Sequence, residues 1–185
     1  MSVLDIRVLG DPVLRQETVP VAAVSDDLRR LIDDMLETMY LAKGIGLAAP
    51  QVGRRERIAV IDVGEGPPFA IVNPLIVESE GAIRGEEGCL SIPEIFGDVT
   101  RASRVVVHGL DRDGRALEVQ GTELLARCLQ HEIDHLHGKL FIDYLSILKR
   151  RAALAKWEKS KAEYPGFVRR LTPEDLAKHS GDDAL

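Results

Sequence analysis

Two histidines four residues apart bracket a glutamate in the run His131-Glu132-Ile133-Asp134-His135. On a helix, positions i and i+4 share a face, so both imidazoles can reach one divalent cation. The glutamate between them can stand beside a water on that cation and take its proton. The helix's other face supplies Leu125, Leu129, Ile133 and Leu136, which anchors it in a core. A third ligand must come from elsewhere. The metzincin pattern needs a histidine ten positions after the first, but position 141 is Phe. Glu158, near where a gluzincin places its third ligand, sits in a basic segment and is a poor candidate. Cys128 lies three residues before His131 but is excluded by reach. Seven helical residues separate it from His135, about 10.5 Å at the α-helical rise. A Cys and a His sharing one metal span only about 8 to 9 Å between their Cβ atoms. Cys128 therefore reads as a small buried apolar residue. That leaves Cys89, in Glu86-Glu87-Gly88-Cys89-Leu90-Ser91, where the glycine permits a close turn and the polar neighbours place the segment at the surface of a cleft.

Three runs now stand in order along the chain: Gly44-Ile45-Gly46-Leu47-Ala48-Ala49-Pro50-Gln51, Glu87-Gly88-Cys89-Leu90-Ser91, and the histidine segment. Together they resemble the three signature motifs of the peptide deformylase family. Asp11-Pro12-Val13-Leu14-Arg15 and Gly138-Lys139-Leu140-Phe141-Ile142-Asp143 agree with it too, so the resemblance covers about residues 3–160. It implies removal of the formyl group from N-formylmethionine at the start of nascent polypeptides. It implies Cys89, His131 and His135 as ligands of one divalent metal, Fe²⁺ in the family's native form, with Zn²⁺, Ni²⁺ or Co²⁺ as substitutes. It further implies Gln51 and the Leu90 backbone amide as oxyanion donors and Glu132 as general acid and base. The first side chain of the substrate, unbranched and apolar, is expected among Ile45, Gly46, Glu87, Gly88, Leu90, Arg127 and Cys128. Phe96 departs from the polar or basic residue that many members carry there.

These residue types suit the reaction. A thiolate and two neutral imidazoles leave a charge of about +1 on a divalent centre, a weaker Lewis acid than one held by three histidines. Separate donors to the carbonyl oxygen then matter more, and losing one typically costs about 2.7 to 4 kcal/mol. Two alternatives use the same residues: a zinc metallopeptidase of the HExxH type, and a catalytically silent metal-binding module. The silent module has no use for Gln51 and Glu132.

The elements that must hold these groups follow from patterning. A helix is expected from Ser25 to Lys43, capped by Ser25, with Leu28, Leu31, Ile32, Met35 and Met39 facing the core. Residues 44–51 read as too irregular for helix or strand. Ile58–Val63, Ala70–Val77 and Arg104–Leu110 read as strands, and Asp111-Arg112-Asp113-Gly114 as the turn of a hairpin to Leu117–Val119. A second helix is expected from Thr122 to His137. A third is expected from about Ser146 to 164, burying Trp157 and its alanines. The fold class is therefore α+β: mixed or antiparallel sheets around a central metal-binding helix, with an N-terminal and a C-terminal helix. One catalytic domain is expected over 1–164, with 165–185 a poorly defined tail.

The 185 residues are 45% hydrophobic and 29% charged, ordinary for a globular chain, and no apolar run approaches a membrane span. Met1–Val19 mixes acids with arginines, so no signal peptide is expected, and two cysteines exclude a disulfide scaffold. The reading is a cytoplasmic monomer. The net charge of −6 hides a segment, 149–170, that carries +6 on a body that carries −9 over 1–148. That basic segment is a candidate ribosome contact.

Overall fold

The computed structural model describes residues 2–172. The architecture mixes α and β, with antiparallel sheets and three α-helices. Strands β1 (Ile6–Arg7), β2 (Gly46–Ala48), β3 (Ile58–Ile61), β4 (Phe69–Glu80), β5 (Ile83–Cys89), β6 (Ile92–Arg101), β7 (Arg104–Leu110), β8 (Ala116–Thr122) and β9 (Val168–Arg169) form three sheets. The largest has the order β2-β3-β4-β7-β8, β5 and β6 make a separate hairpin, and β1 pairs with β9.

Helix α1 (Asp26–Leu41) starts where Ser25 Oγ accepts the Leu28 amide proton at 3.2 Å. Its expected stripe, Leu28 to Met39, is buried and packs on Leu47, Ile58, Val60 and Val72 of the large sheet. Helix α2 (Glu123–Leu136) lies against β2, β3, β7 and β8 and also touches β6. Leu129 and Leu136 are wholly buried there with Ile61, Ile71 and Val107. Each such side chain contributes about 1.5 to 3 kcal/mol by leaving water. Helix α3 (Ile147–Ser160) buries Trp157, but Ala152 and Ala155 are exposed, so the expected alanine face is not its buried side. Trp157 instead joins Leu140, Phe141 and Ile142 against Ile92, Ile95 and Val99 of β6.

The β7–β8 hairpin turns at Asp111-Arg112-Asp113-Gly114 as the sequence indicates, with Gly114 at φ 81° and the Asp111 carboxylate accepting from the Asp113 and Arg115 amides. One expectation fails here. Residues 46–48 are a strand, antiparallel to β3 with Gly46 opposite Ile61, followed by a 3-10 turn over Ala49–Val52. No local propensity favours strand in this run of small residues; long-range pairing with β3 imposes it. The Cys89 segment lines a cleft, as expected, but it is not held there by solvent-facing polar neighbours. It ends β5, pairs with Ile92, and turns through Leu90 and Ser91, with Glu87, Cys89, Leu90 and Ser91 all buried. Beyond α3, Pro165–Phe167 form a 3-10 turn and β9 returns to β1; the rest of the expected tail, 173–185, lies outside the described residues.

Candidate metal centre

Two elements bring the ligand candidates together. Helix α2 presents His131 and His135 from adjacent turns, and the tip of the β5–β6 hairpin presents Cys89. The two Nε2 atoms are 3.2 Å apart, Cys89 Sγ is 3.3 Å from His135 Nε2, and the three donor atoms lie within 4.8 Å of one another. All three side chains are buried. Ligands held tetrahedrally at about 2.0 to 2.3 Å from one centre sit roughly 3.3 to 3.6 Å apart, so this spacing fits a single divalent ion.

The tautomer of His131 is set by its surroundings. Its Nδ1–H donates to Glu87 Oε2 at 3.0 Å, which turns the Nε2 lone pair toward Cys89 and His135. Glu87 is 0% exposed and also receives Arg101 through two N–H groups, at 2.7 and 2.9 Å, and Arg127 Nη1 at 2.8 Å. Burial disfavours its charged form, but the donors from Arg101 and His131 outweigh that and hold the carboxyl well below the usual carboxylate range. Arg127 also donates to Val99 O and Ile83 O, and Arg101 to Asp134 at 2.5 Å. The β5–β6 hairpin is thus clamped to α2 through buried guanidinium groups. The heads of Glu87 and Arg127 face each other in this clamp.

Glu132 is buried where α2 packs on β2. A Cβ on Gly46 would sit 2.5 Å from Glu132 Oε1 and 2.8 Å from Cys128 Sγ, so only glycine lets β2 approach so closely. Glu132 Oε2 is buried without a hydrogen-bond partner among the described residues, and burial pushes this carboxyl up to about 7. Cys128 donates weakly to Ile45 O at 3.6 Å, and burial raises its thiol well above the ordinary range. Gln51 is 1% exposed, and its carbonyl accepts the Ala48 amide at 2.8 Å, which aims its NH₂ at Cys89 Sγ, 3.5 Å away, and Ser91 Oγ, 3.3 Å away. Gly88 lies under the half-exposed ring of Phe96. A cleft of about 770 Å³ opens from Cys89 and Leu90.

Sequence reasoning overlooked three participants. Ser91 ends the Glu87–Ser91 run, and its pairing with Gln51 has no sequence signal. Arg101 and Asp134 extend the Glu87 cluster, and only the β5–β6 register brings Arg101 to it.

A cysteine sulfur and two imidazoles, a buried carboxyl group and an anchored amide gathered together define the site of a metal-dependent hydrolase. The sequence pattern of the polypeptide deformylase family matches residues 3–151, and the chain belongs to that family. It is 56% identical to a peptide deformylase of Alkalilimnicola ehrlichii over 86% of this chain and 91% of that protein. A crystal structure of a peptide deformylase from Legionella pneumophila superposes with a TM-score of 0.84 at 48% identity, covering 88% of this chain and 97% of that one. The Ehrlichia chaffeensis enzyme in complex with actinonin superposes with a TM-score of 0.84 at 42% identity, covering 87% of this chain and 99% of that one.

Proposed function

We propose that this chain removes the formyl group from N-formylmethionine of nascent polypeptides, and that the cluster of Cys89, His131, His135, Glu132 and Gln51 performs the reaction. The observation that carries it is the convergence of three donor atoms within 4.8 Å beside an unpartnered Glu132 oxygen. A divalent metal bound by Cys89, His131 and His135 would supply Lewis acidity and a water of lowered pKa. Glu132 takes the proton of the attacking water and returns it to the leaving amine nitrogen. The Gln51 NH₂, locked by Ala48, and the Leu90 backbone N–H donate to the formyl oxygen as it gains charge. Ile45, Gly46, Gly88 and Cys128 line the place of the first side chain, and the Glu87–Arg127 pair backs that wall. Membership of the deformylase family favours this reading over an endopeptidase. Formyl-Met-Ala-Ser, acetyl-Met-Ala-Ser and an internal-peptide substrate separate them; deformylation alone is expected, and cleavage of the internal peptide alone overturns the assignment.

We propose Fe²⁺ as the ion in the cell, with Zn²⁺, Ni²⁺ and Co²⁺ as substitutes, on the strength of the family resemblance. Protein purified anaerobically should hold about one iron per chain. Cys89→Ala should lose most of it, and Cys128→Ala should keep it, because Cys128 lies under Gly46 with its thiol protonated by burial. Metal retained by Cys89→Ala and lost from Cys128→Ala would reverse the ligand assignment. The reading also carries a cytoplasmic, monomeric protein, which fractionation and analytical ultracentrifugation check. Among the described residues no helix is long and apolar enough to cross a membrane.

The basic segment 149–170 is proposed to touch ribosomal RNA phosphate. On α3, Lys149 and Arg150 are drawn toward Asp98 and Asp143, while Arg151 and Lys159 have no carboxylate partner among the described residues. Arg151→Glu/Lys159→Glu should reduce co-sedimentation with ribosomes at low salt several-fold, an effect that fades as salt rises. Unchanged co-sedimentation removes the proposal.

A further inference from the structure

The cleft that opens at Cys89 has an outer part that the hydrolytic chemistry does not use. Lys43, Lys156, Arg169 and Arg170 line it, against the two carboxylates Glu94 and Glu163. In a chain of net charge −6 this is a local excess of positive charge. None of these four cations has a carboxylate partner among the described residues, whereas Arg101, Arg127 and Arg150 are all paired. Lys156 is held at the rim by its bond to Glu94 O at 2.7 Å.

The wall that carries Arg169 and Arg170 is built. Strand β9 pairs with β1, the Val8 amide donates to Phe167 O at 2.9 Å, and the Tyr164 ring stacks on Trp157 at 5.7 Å between centroids. From this strand Arg169 Nη1 reaches Leu90 O at 3.4 Å. Leu90 follows Cys89, so a cationic head stands beside the hairpin tip that carries a ligand. On the deformylase reading the formyl group is cleaved at Cys89, which lines this cleft, so the residues that follow the first have the cleft to run along. An extended peptide advances about 3.3 to 3.6 Å per residue. Its third and fourth residues then fall among these ammonium and guanidinium groups.

We infer that Arg169, Arg170, Lys43 and Lys156 select formylated peptides that carry aspartate or glutamate at the third or fourth residue and disfavour lysine or arginine there. This rests on the deformylase reading of the site. The test compares kcat/KM of the metal-loaded full chain on the C-terminal amides of formyl-Met-Ala-Glu-Glu, formyl-Met-Ala-Gln-Gln and formyl-Met-Ala-Lys-Lys, the amide removing the terminal carboxylate. At low ionic strength the acidic peptide should exceed the basic one about tenfold, mainly through KM, and the ratio should shrink with salt. Arg169→Gln/Arg170→Gln should bring the ratio toward one, and Arg169→Glu/Arg170→Glu should invert it. Lys43→Gln/Lys156→Gln leaves β9 untouched and should lower the ratio too, so a loss of fold in the arginine variants, seen in Tm, does not shield the proposal. A wild-type ratio near one, or a ratio unchanged in both sets of variants, overturns it. Failure of the wild type on all three peptides, the neutral one included, instead overturns the deformylase reading and this inference with it.

Discussion

Glu132→Gln is expected to lower kcat on formyl-Met-Ala-Ser by at least about two orders of magnitude while leaving about one metal per chain. The substitution is nearly isosteric, so the close contact with Gly46 survives. It leaves Cys89 and both imidazoles in place, and the Glu87 partner of His131 is untouched. What it removes is a buried carboxyl oxygen that has no hydrogen-bond partner among the described residues. An amide cannot accept the proton of the attacking water, so there is none to hand to the departing amine. KM should change little, because the carboxylate is assigned to proton transfer and not to holding the peptide. Metal analysis and kinetics on the same sample decide it. Near-normal kcat in a metal-loaded variant would show that another group moves the proton.

Part of the fold and site is legible in the sequence. The helices are, because each carries its own signals: Ser25 before two aspartates, the leucine and methionine stripe of α1, and the i, i+4 histidines of α2. The β7–β8 hairpin was legible for the same reason, since Asp113-Gly114 sets its turn locally. The three donors that the structure gathers, Cys89, His131 and His135, are also the candidates named from the sequence, where helical rise sets Cys128 aside and the family resemblance points to Cys89. What stayed hidden depends on residues far apart in sequence. β2 has no strand propensity and exists because β3 lies beside it. The β5–β6 hairpin was missed because Glu86, Glu87 and Ser91 read as solvent-facing. Glu87 is buried only because Arg101, Arg127 and His131, from 14 to 44 residues away, converge on it. The wall formed by β9 has no motif at all, since pairing with β1 joins the two extremes of the described chain.

The Glu87 cluster carries the second large effect. Glu87→Leu is expected to destabilise the fold by about 3 to 5 kcal/mol, the usual consequence of stripping the counter-charge from buried cations. For a chain of this length that lowers Tm by about 10 °C. The value should fall toward the lower end, because Arg101 keeps Asp134 and Arg127 keeps the Ile83 and Val99 carbonyls. Glu87→Gln should be milder in Tm but should still weaken metal affinity about 10- to 100-fold in a chelator competition, since a neutral amide orients the His131 imidazole less firmly than a carboxylate. The two readouts separate the two tasks of this residue, counter-charge for the clamp and orientation of a ligand. The decisive control is the triple variant Glu87→Leu/Arg101→Met/Arg127→Met. If Glu87 acts as a counter-charge, removing the stranded cations should restore part of the lost stability, making the triple variant more stable than Glu87→Leu alone. If the triple variant is less stable still, the clamp holds as a sum of hydrogen bonds to the Ile83 and Val99 carbonyls and Asp134, with Glu87 only one acceptor among several.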